Sequence, residues 1–201
     1  MIRLFFLLLF SYLIGSVPTG YWLVWLVKKK DVRSQGSGNI GMTNVWRVAG
    51  APWGILTLLL DISKGVLVIW AARDFFPQDQ IALLLAALGV LLGNVFTVFL
   101  NFKGGKGIGV SVGVFFSILP LESTLGLIGF CLAVLLTRMI SMGSLVGVTL
   151  MVVASFIKLG LGWLSGFALL SGALVWWTHR ENIKRIMAGT ENRIGKKGPR
   201  K

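Results

Sequence analysis

The sequence predicts an all-α, polytopic membrane protein with seven transmembrane helices, its N-terminus outside and its C-terminus cytoplasmic. Three observations carry that expectation. Of 201 residues, 55% are hydrophobic and only 13% charged, where a soluble domain carries roughly a quarter, and mean hydropathy is +0.82. Charge-free stretches recur at Leu4–Val27, Ile81–Leu100, Met139–Ile157 and Leu159–Thr178, each close to the ~20 residues a transmembrane helix needs. Lysine and arginine, finally, crowd into alternate connections between these stretches.

The first stretch is too long and uninterrupted for a secretory signal and has no small-residue cleavage site, so it reads as a retained span. Trp53–Ala72 is the second, apolar apart from Asp61 and Lys64. Ile81–Leu100 is the third. Gly107–Leu121 and Ser123–Thr137 are divided at Pro120-Leu121-Glu122. They read as two short or tilted helices joined by a tight turn, each reaching about 22 Å against a hydrocarbon core of about 30 Å. Met139–Ile157 and Leu159–Thr178 complete the count. The expected organisation is one integral membrane domain, 1–201, ending in a basic cytoplasmic tail at 186–201.

Loop charges orient this arrangement. The segments then inside hold Lys28, Lys29, Lys30, Arg33 and Arg47, then Lys103 and Lys106, then Arg138, and the cations of the tail from Arg180 onward. Outside lie only Arg3, Arg73 and Lys158, with Lys64 inside a span. That is the positive-inside pattern. The net charge of +13 therefore speaks for cytoplasmic loops and anionic headgroups rather than nucleic acid, for which no module is present. The lone Cys131 falls in an apolar run and reads as a buried, inert thiol.

Four polar segments follow spans one, three, five and seven, and so share one membrane face. Gly36-Ser37-Gly38-Asn39-Ile40-Gly41 fits G-x-G-x-x-G, but a dinucleotide fingerprint needs a preceding strand and a βαβ unit, and here a helix and a lysine run precede it. What remains is a turn whose backbone N–H groups suit an anion, with Ser37, Asn39, Thr43 and Asn44 as neutral partners and Arg47 as a bidentate cation. Phe102-Lys103-Gly104-Gly105-Lys106-Gly107 puts two lysines around a Gly-Gly pair, a second phosphate cradle that lacks the spacing and hydroxyl of a P-loop. Thr137–Ser141 adds Arg138. On a helix, His179, Asn182 and Arg185 share one face. Asp61 and Lys64 are buried ionisable groups that read either as a mutual ion pair or as support for the polar site.

Absences narrow the chemistry. Seven carboxylates, one histidine and one cysteine supply no plausible metal-ligand set, and no nucleophile–His–acid triad assembles. His179 also lacks the aspartate five residues on that many glycerolipid acyltransferases place there. The expectation is a site that works by cations, hydrogen bonds and positioning, with no cofactor.

These segments, in this order, resemble the bacterial membrane acyl-phosphate:glycerol-3-phosphate acyltransferases, the PlsY family. The matching residues are Gly15-Ser16, GSGNIGMTNVWR at Gly36–Arg47, LDISKG at Leu60–Gly65 and FKGGKG at Phe102–Gly107. TRMIS at Thr137–Ser141, HRENIKR at His179–Arg185 and GTEN at Gly189–Asn192 complete them. The resemblance implies seven helices in a bacterial inner membrane with the active site on the cytoplasmic face. It implies transfer of a fatty acyl group from acyl phosphate to the 1-hydroxyl of glycerol 3-phosphate, giving lysophosphatidic acid. Arg47 and Lys106 would hold phosphate, with Ser37, Asn39, Thr43, Asn44, Lys103, Gly104, Gly105 and Arg138 around the substrates. His179 and Asn182 would orient the hydroxyl and the reacting carbonyl. The sequence departs from the family where Asn94 replaces a histidine, Thr97 a proline and Met42 a small alanine. Asparagine hydrogen-bonds but carries no proton near neutral pH, so the alternative is a diverged or inactive relative with another donor or acceptor.

Overall fold

Pro18 divides the first apolar run. A computed structural model describes residues 1–195, and in it the run is two helices, α1 (Ile2–Ser16) and α2 (Thr19–Lys28), rather than the one continuous span expected. Proline has no N–H to donate, and the residue before it is pushed from helical ψ; Val17 has ψ 111°. The backbone groups freed by such a break must be satisfied internally within a membrane. The Val17 carbonyl accepts both the Thr19 N–H at 3.0 Å and Lys64 Nζ at 2.6 Å.

A 3₁₀ turn at Val32–Ser34 and a loop lead to α3 (Met42–Ala49) and the long α4 (Ala51–Phe75). Then come α5 (Gln80–Val95), a second 3₁₀ turn at Val98–Leu100, and α6 (Ile108–Ile118). These residues form one compact unit, Met1–Ile118. In it α1 packs along α5, and α4 along α6 and α3. Backbones touch where the helices cross: a Cβ on Gly93 would lie 2.1 Å from the Tyr12 carbonyl oxygen, and one on Gly113 2.1 Å from that of Ile62. Contacts of this kind, made by small residues, are how helices associate without a hydrophobic drive between them.

The second unit begins at Leu119 and contains α7 (Pro120–Thr137), α8 (Ile140–Leu159), α9 (Trp163–Thr178) and α10 (Arg180–Met187). Pro120 stands in the first turn of α7, where a missing N–H costs nothing; the boundary between the two short spans thus falls one residue ahead of the proline. Helix α8 packs against both α7 and α9. Its Lys158 pairs with the buried Glu122 of α7 at 2.9 Å.

All regular structure among the described residues is helical. Five segments are long and apolar enough to cross a membrane: Ile2–Lys28, Ala51–Phe75, Gln80–Leu100, Pro120–Thr137 and Ile140–Leu159. Ile108–Ile118 and Trp163–Thr178 are shorter apolar helices. Polarity is arranged inside out. Ser11, Ser16, Thr57, Asp61 and Lys64 are buried, while Phe5, Trp70, Leu135, Leu136 and Leu170 are exposed. Cys131, expected to be buried, is exposed as well. An apolar run in a membrane helix is satisfied by lipid as readily as by a core, so hydropathy does not decide which face is covered. The basic tail expected at 186–201 starts inside α10, and its residues 196–201 lie outside the described residues.

The crossings make a prediction. Gly113→Ala pushes a methyl into the α4 backbone and is expected to lower stability by about 1–3 kcal/mol. Gly166→Ala, where nothing lies within 4 Å, should be neutral or stabilising by up to about 1 kcal/mol. Thermal unfolding in detergent distinguishes them, and equal melting temperatures would contradict the packing described.

Candidate active site

The loop before α3 rests on an apolar cluster of Val24, Val32, Ile40, Val45 and Leu100. Gly36 and Gly38 adopt φ of +59° and +74°, which only glycine takes without a steric penalty. Asn44, in the first turn of α3 and 1% exposed, organises the loop. Its Oδ1 accepts the Ser37 N–H at 2.8 Å, and its Nδ2 lies 2.9 Å from the carbonyls of Gln35 and Asn39. The Gly41 N–H donates to Asn39 Oδ1 at 2.7 Å, and that of Gly38 to the Gln35 carbonyl at 3.0 Å. The N–H groups of Ser37, Gly38 and Gly41 are therefore engaged inside the loop, not lined up for an anion as the sequence pattern suggests. Ser37 and Arg47 are exposed and Thr43 is half-buried; the loop presents side chains rather than backbone.

The second loop is built the same way. Thr97 caps the 3₁₀ turn after α5, accepting the Phe99 N–H at 3.3 Å and donating to the Ser16 carbonyl. Asn101 and Phe102 both sit at positive φ and turn the chain back. Gly104 N–H then donates to the Val95 carbonyl at 3.0 Å and Gly105 N–H to that of Asn94 at 2.9 Å. A Cβ at Gly104 would lie 2.1 Å from the Asn94 carbonyl oxygen. The Gly-Gly pair therefore serves close approach to the end of α5, where both of its N–H groups are engaged. Exposed Lys103 and half-buried Lys106 flank it. Asn94 is buried with its Oδ1 3.2 Å from where a Gly105 Cβ would be, and Ile40 of the first loop comes within 3.7 Å of that point. The two loops meet there.

Asp61 and Lys64 form an ion pair at 2.7 Å, both side chains largely buried. Thr19 Oγ1 bridges them, donating to Asp61 Oδ1 at 2.7 Å and standing 3.3 Å from Lys64 Nζ.

In the second unit a carboxylate gathers the polar residues. Glu191, 9% exposed, accepts on Oε1 from Ser141 Oγ at 2.9 Å and Asn182 Nδ2 at 2.8 Å. Its Oε2 accepts from Arg185 Nε at 2.7 Å. Asn182 and Arg185 thus share a partner, as their helical spacing suggests. Burial disfavours the Glu191 anion, yet the donors from Arg185, Asn182 and Ser141 outweigh it and hold the carboxyl below its ordinary pKa. Next to it, the Ile194 N–H donates to the carbonyl of exposed Arg138 at 2.7 Å. His179 is buried where α9 gives way to α10. Its Nδ1 lies 2.8 Å from the Val175 carbonyl, which places the proton of the neutral ring on Nδ1 and the lone pair on Nε2. Neither Glu191 nor Ser141 stands out in the sequence as a site residue. The only signal is their membership of the GTEN and TRMIS segments, since a lone acid after a glycine turn is a common surface pattern.

A family model described as "Glycerol-3-phosphate acyltransferase" matches residues 5–189. This chain belongs to the glycerol-3-phosphate acyltransferase family. The similarity spans almost the whole chain. It is 39% identical over 191 residues to the glycerol-3-phosphate acyltransferase of Anaeromyxobacter sp. (strain K), covering 92% of this chain and 94% of that one. It is 43% identical over 197 residues to that of Rhodopseudomonas palustris (strain HaA2), covering 94% and 95%. Among solved structures it resembles PlsY (YgiH), an integral membrane glycerol 3-phosphate acyltransferase, in its glycerol 3-phosphate form. The TM-score is 0.88 at 33% identity, over 96% of each chain. The lysophosphatidic acid form of the same protein gives a TM-score of 0.86. The family member described here is therefore an all-helical, multi-pass integral membrane acyltransferase.

The charge on Glu191 sets a pH dependence. Its folded pKa is lowered, so in the window below the unfolded value of about 4.3 the unfolded state binds more protons, and stability rises with pH. The contribution is complete above that value and is lost as pH falls through the lowered folded one. Glu191→Gln should flatten this acid limb and cost about 1–3 kcal/mol at neutral pH. Melting curves of both proteins between pH 3 and 7 check it; parallel curves would remove Glu191 from this role.

Proposed function

We propose that this chain transfers a fatty acyl group from acyl phosphate to the 1-hydroxyl of glycerol 3-phosphate, giving lysophosphatidic acid, as the first step of phospholipid synthesis. The observation that carries this reading is the near full-length likeness to the glycerol 3-phosphate form of PlsY, together with two cation-bearing loops held in fixed shape. The hydroxyl oxygen attacks the acyl carbonyl, the new ester bond forms, and the bond from the carbonyl carbon to phosphate oxygen breaks to release inorganic phosphate. Both substrates are anions, so the largest requirement is fixed positive charge. Arg47 and Lys106 hold phosphate. Lys103 and Arg138 add positive potential at the approach, and Ser37, Asn39 and Thr43 supply neutral hydrogen bonds. Asn44, Gly104 and Gly105 act by shaping the loops. Asn182, its amide fixed by Glu191 and backed by Arg185, orients one substrate, and His179 orients the hydroxyl and carbonyl. The hydroxyl proton passes to a substrate phosphate rather than to a protein base.

The chain is one integral membrane domain, 1–201, with a basic tail from 186, in a bacterial inner membrane. It crosses seven times, counting α1 and α2 as one broken span and the shorter α6 and α9 as crossings. The N-terminus is outside, and the site and C-terminus are cytoplasmic. Asn94 keeps the family reaction in this reading. Its main-chain carbonyl takes the Gly105 N–H, a bond independent of the side chain, so the loop contact at this position is kept when histidine is exchanged for asparagine.

Purified protein given acyl phosphate and labelled glycerol 3-phosphate, with chelator present, should form labelled lysophosphatidic acid. Lys106→Ala should remove most of that product. Asn94→His should leave kcat within about threefold; recovery of activity only in that variant would identify a diverged relative. His179→Ala should lower the rate without changing the shape of the pH–rate profile, whereas complete loss of turnover with substrate binding intact would assign His179 the proton.

A further inference from the structure

A membrane span interrupted at Val17-Pro18 could have been closed with serine hydroxyls or backbone N–H groups alone. Instead the chain commits an ion pair to it. Lys64 Nζ reaches the Val17 carbonyl, Asp61 Oδ1 and Thr19 Oγ1 at once, from a side chain 8% exposed. A buried ion pair yields little net stability over an apolar replacement, but it can admit one arrangement of its neighbours and reject others.

Its neighbours lead to both loops. On one side, Gly20 lies one residue beyond Thr19. A Cβ there would stand 2.0 Å from the Ile40 carbonyl oxygen and 2.8 Å from Val45 Cγ2, so the start of α2 packs against both the 36–41 loop and α3, the helix that carries Arg47. On the other side, a Cβ at Gly109 would lie 2.8 Å from Asp61 Cβ. Gly109 stands in the first turn of α6, two residues after the FKGGKG loop ends. A third tie comes through Ser16, whose carbonyl receives the Thr97 hydroxyl at the entrance to that loop. The break and its ion pair thus touch the foundations of both cation-bearing loops without being part of either.

We infer that Asp61, Lys64 and Thr19 are positioning residues for glycerol 3-phosphate: a lock that sets the spacing of Arg47 and Lys106 by fixing how α1, α2, α4 and α6 meet. This rests on the reading that those two cations hold phosphate. The alternative is a lock that serves stability alone. The two respond differently when the polar contacts are replaced by apolar ones of similar size. A lock for spacing loses substrate affinity with the fold kept; a merely structural one loses melting temperature and leaves the folded fraction with its affinity.

The test uses the full chain in detergent or proteoliposomes. Thr19→Val removes the bridging hydroxyl at nearly constant shape, Thr19→Ser restores it, and Asp61→Leu with Lys64→Met replaces the pair. For Thr19→Val, KM for glycerol 3-phosphate should rise roughly fivefold to tenfold. For the double variant it should rise more than tenfold, with kcat within about twofold, and Thr19→Ser should return to the wild-type value. Hydrogen exchange should quicken in peptides covering 36–41 and 102–107 and remain unchanged in 140–155. Unchanged KM and exchange in folded Thr19→Val, or a fall in melting temperature alone, would overturn the inference. If the double variant does not fold, the Thr19→Val and Thr19→Ser pair decides by itself. Arg47→Ala and Lys106→Ala separate the two readings. If neither raises KM for glycerol 3-phosphate, the phosphate assignment fails, while the exchange measurement still decides the lock.

Discussion

The constraint on which the first unit depends is the cost of an unsatisfied backbone group away from water. Pro18 leaves a break in the helical ladder of an apolar segment, and such a group costs several kcal/mol in hydrocarbon. The Val17 carbonyl takes the Thr19 N–H at 3.0 Å and a second donor from another helix, Lys64 Nζ, with which Asp61 pairs as counter-charge. These contacts tie α4 to the junction of α1 and α2. The glycine crossings then bring α5 and α6 to backbone distance, and the loops take positions dictated by the ends of four helices.

The loops share a common design. In each, several main-chain N–H groups, those of Ser37, Gly38 and Gly41 in one and of Gly104 and Gly105 in the other, are engaged by internal structure. Asn44 ties down the 36–41 turn, and the carbonyls of Asn94 and Val95 hold Gly104 and Gly105. Binding capacity is then left to side chains mounted on a rigid frame, notably the exposed Arg47 and Lys103. A frame that is already ordered loses little conformational freedom when an anion arrives, which keeps the interaction energy for the ligand.

Much of this was legible in the sequence, because hydropathy and charge asymmetry act along the chain. The apolar segments, the polar loops between them and the pairing of Asp61 with Lys64 could all be read there. Helix interruption was less legible: Pro18 stands with Gly15, Ser16, Thr19 and Gly20 inside a charge-free run, and nothing local says whether a proline will kink a helix or end it. The glycine motifs carry a second role that the sequence does not display: the Ser37 N–H is held by Asn44, and those of Gly104 and Gly105 by the end of α5. Cys131 misled because α7 turns its large apolar side chains outward: its buried face is Glu122, Ser123, Gly126, Gly129 and Ala133, while Leu132, Leu135 and Leu136 are exposed. Glu191 was missed because its importance lies in converging partners from sequence positions as distant as Ser141.

That convergence has a consequence for how the protein is made. Glu191 is synthesised nine residues after Asn182 and 50 after Ser141, behind every apolar helix of the second unit. The polar centre of the second unit therefore closes last. A product ending early, at a stop codon just after α10, would carry every membrane-inserting segment of the described chain and would still lack the group that draws Ser141, Asn182 and Arg185 together. For a quality-control protease, such a chain would be distinguished by its unsatisfied interior and not by its hydrophobicity.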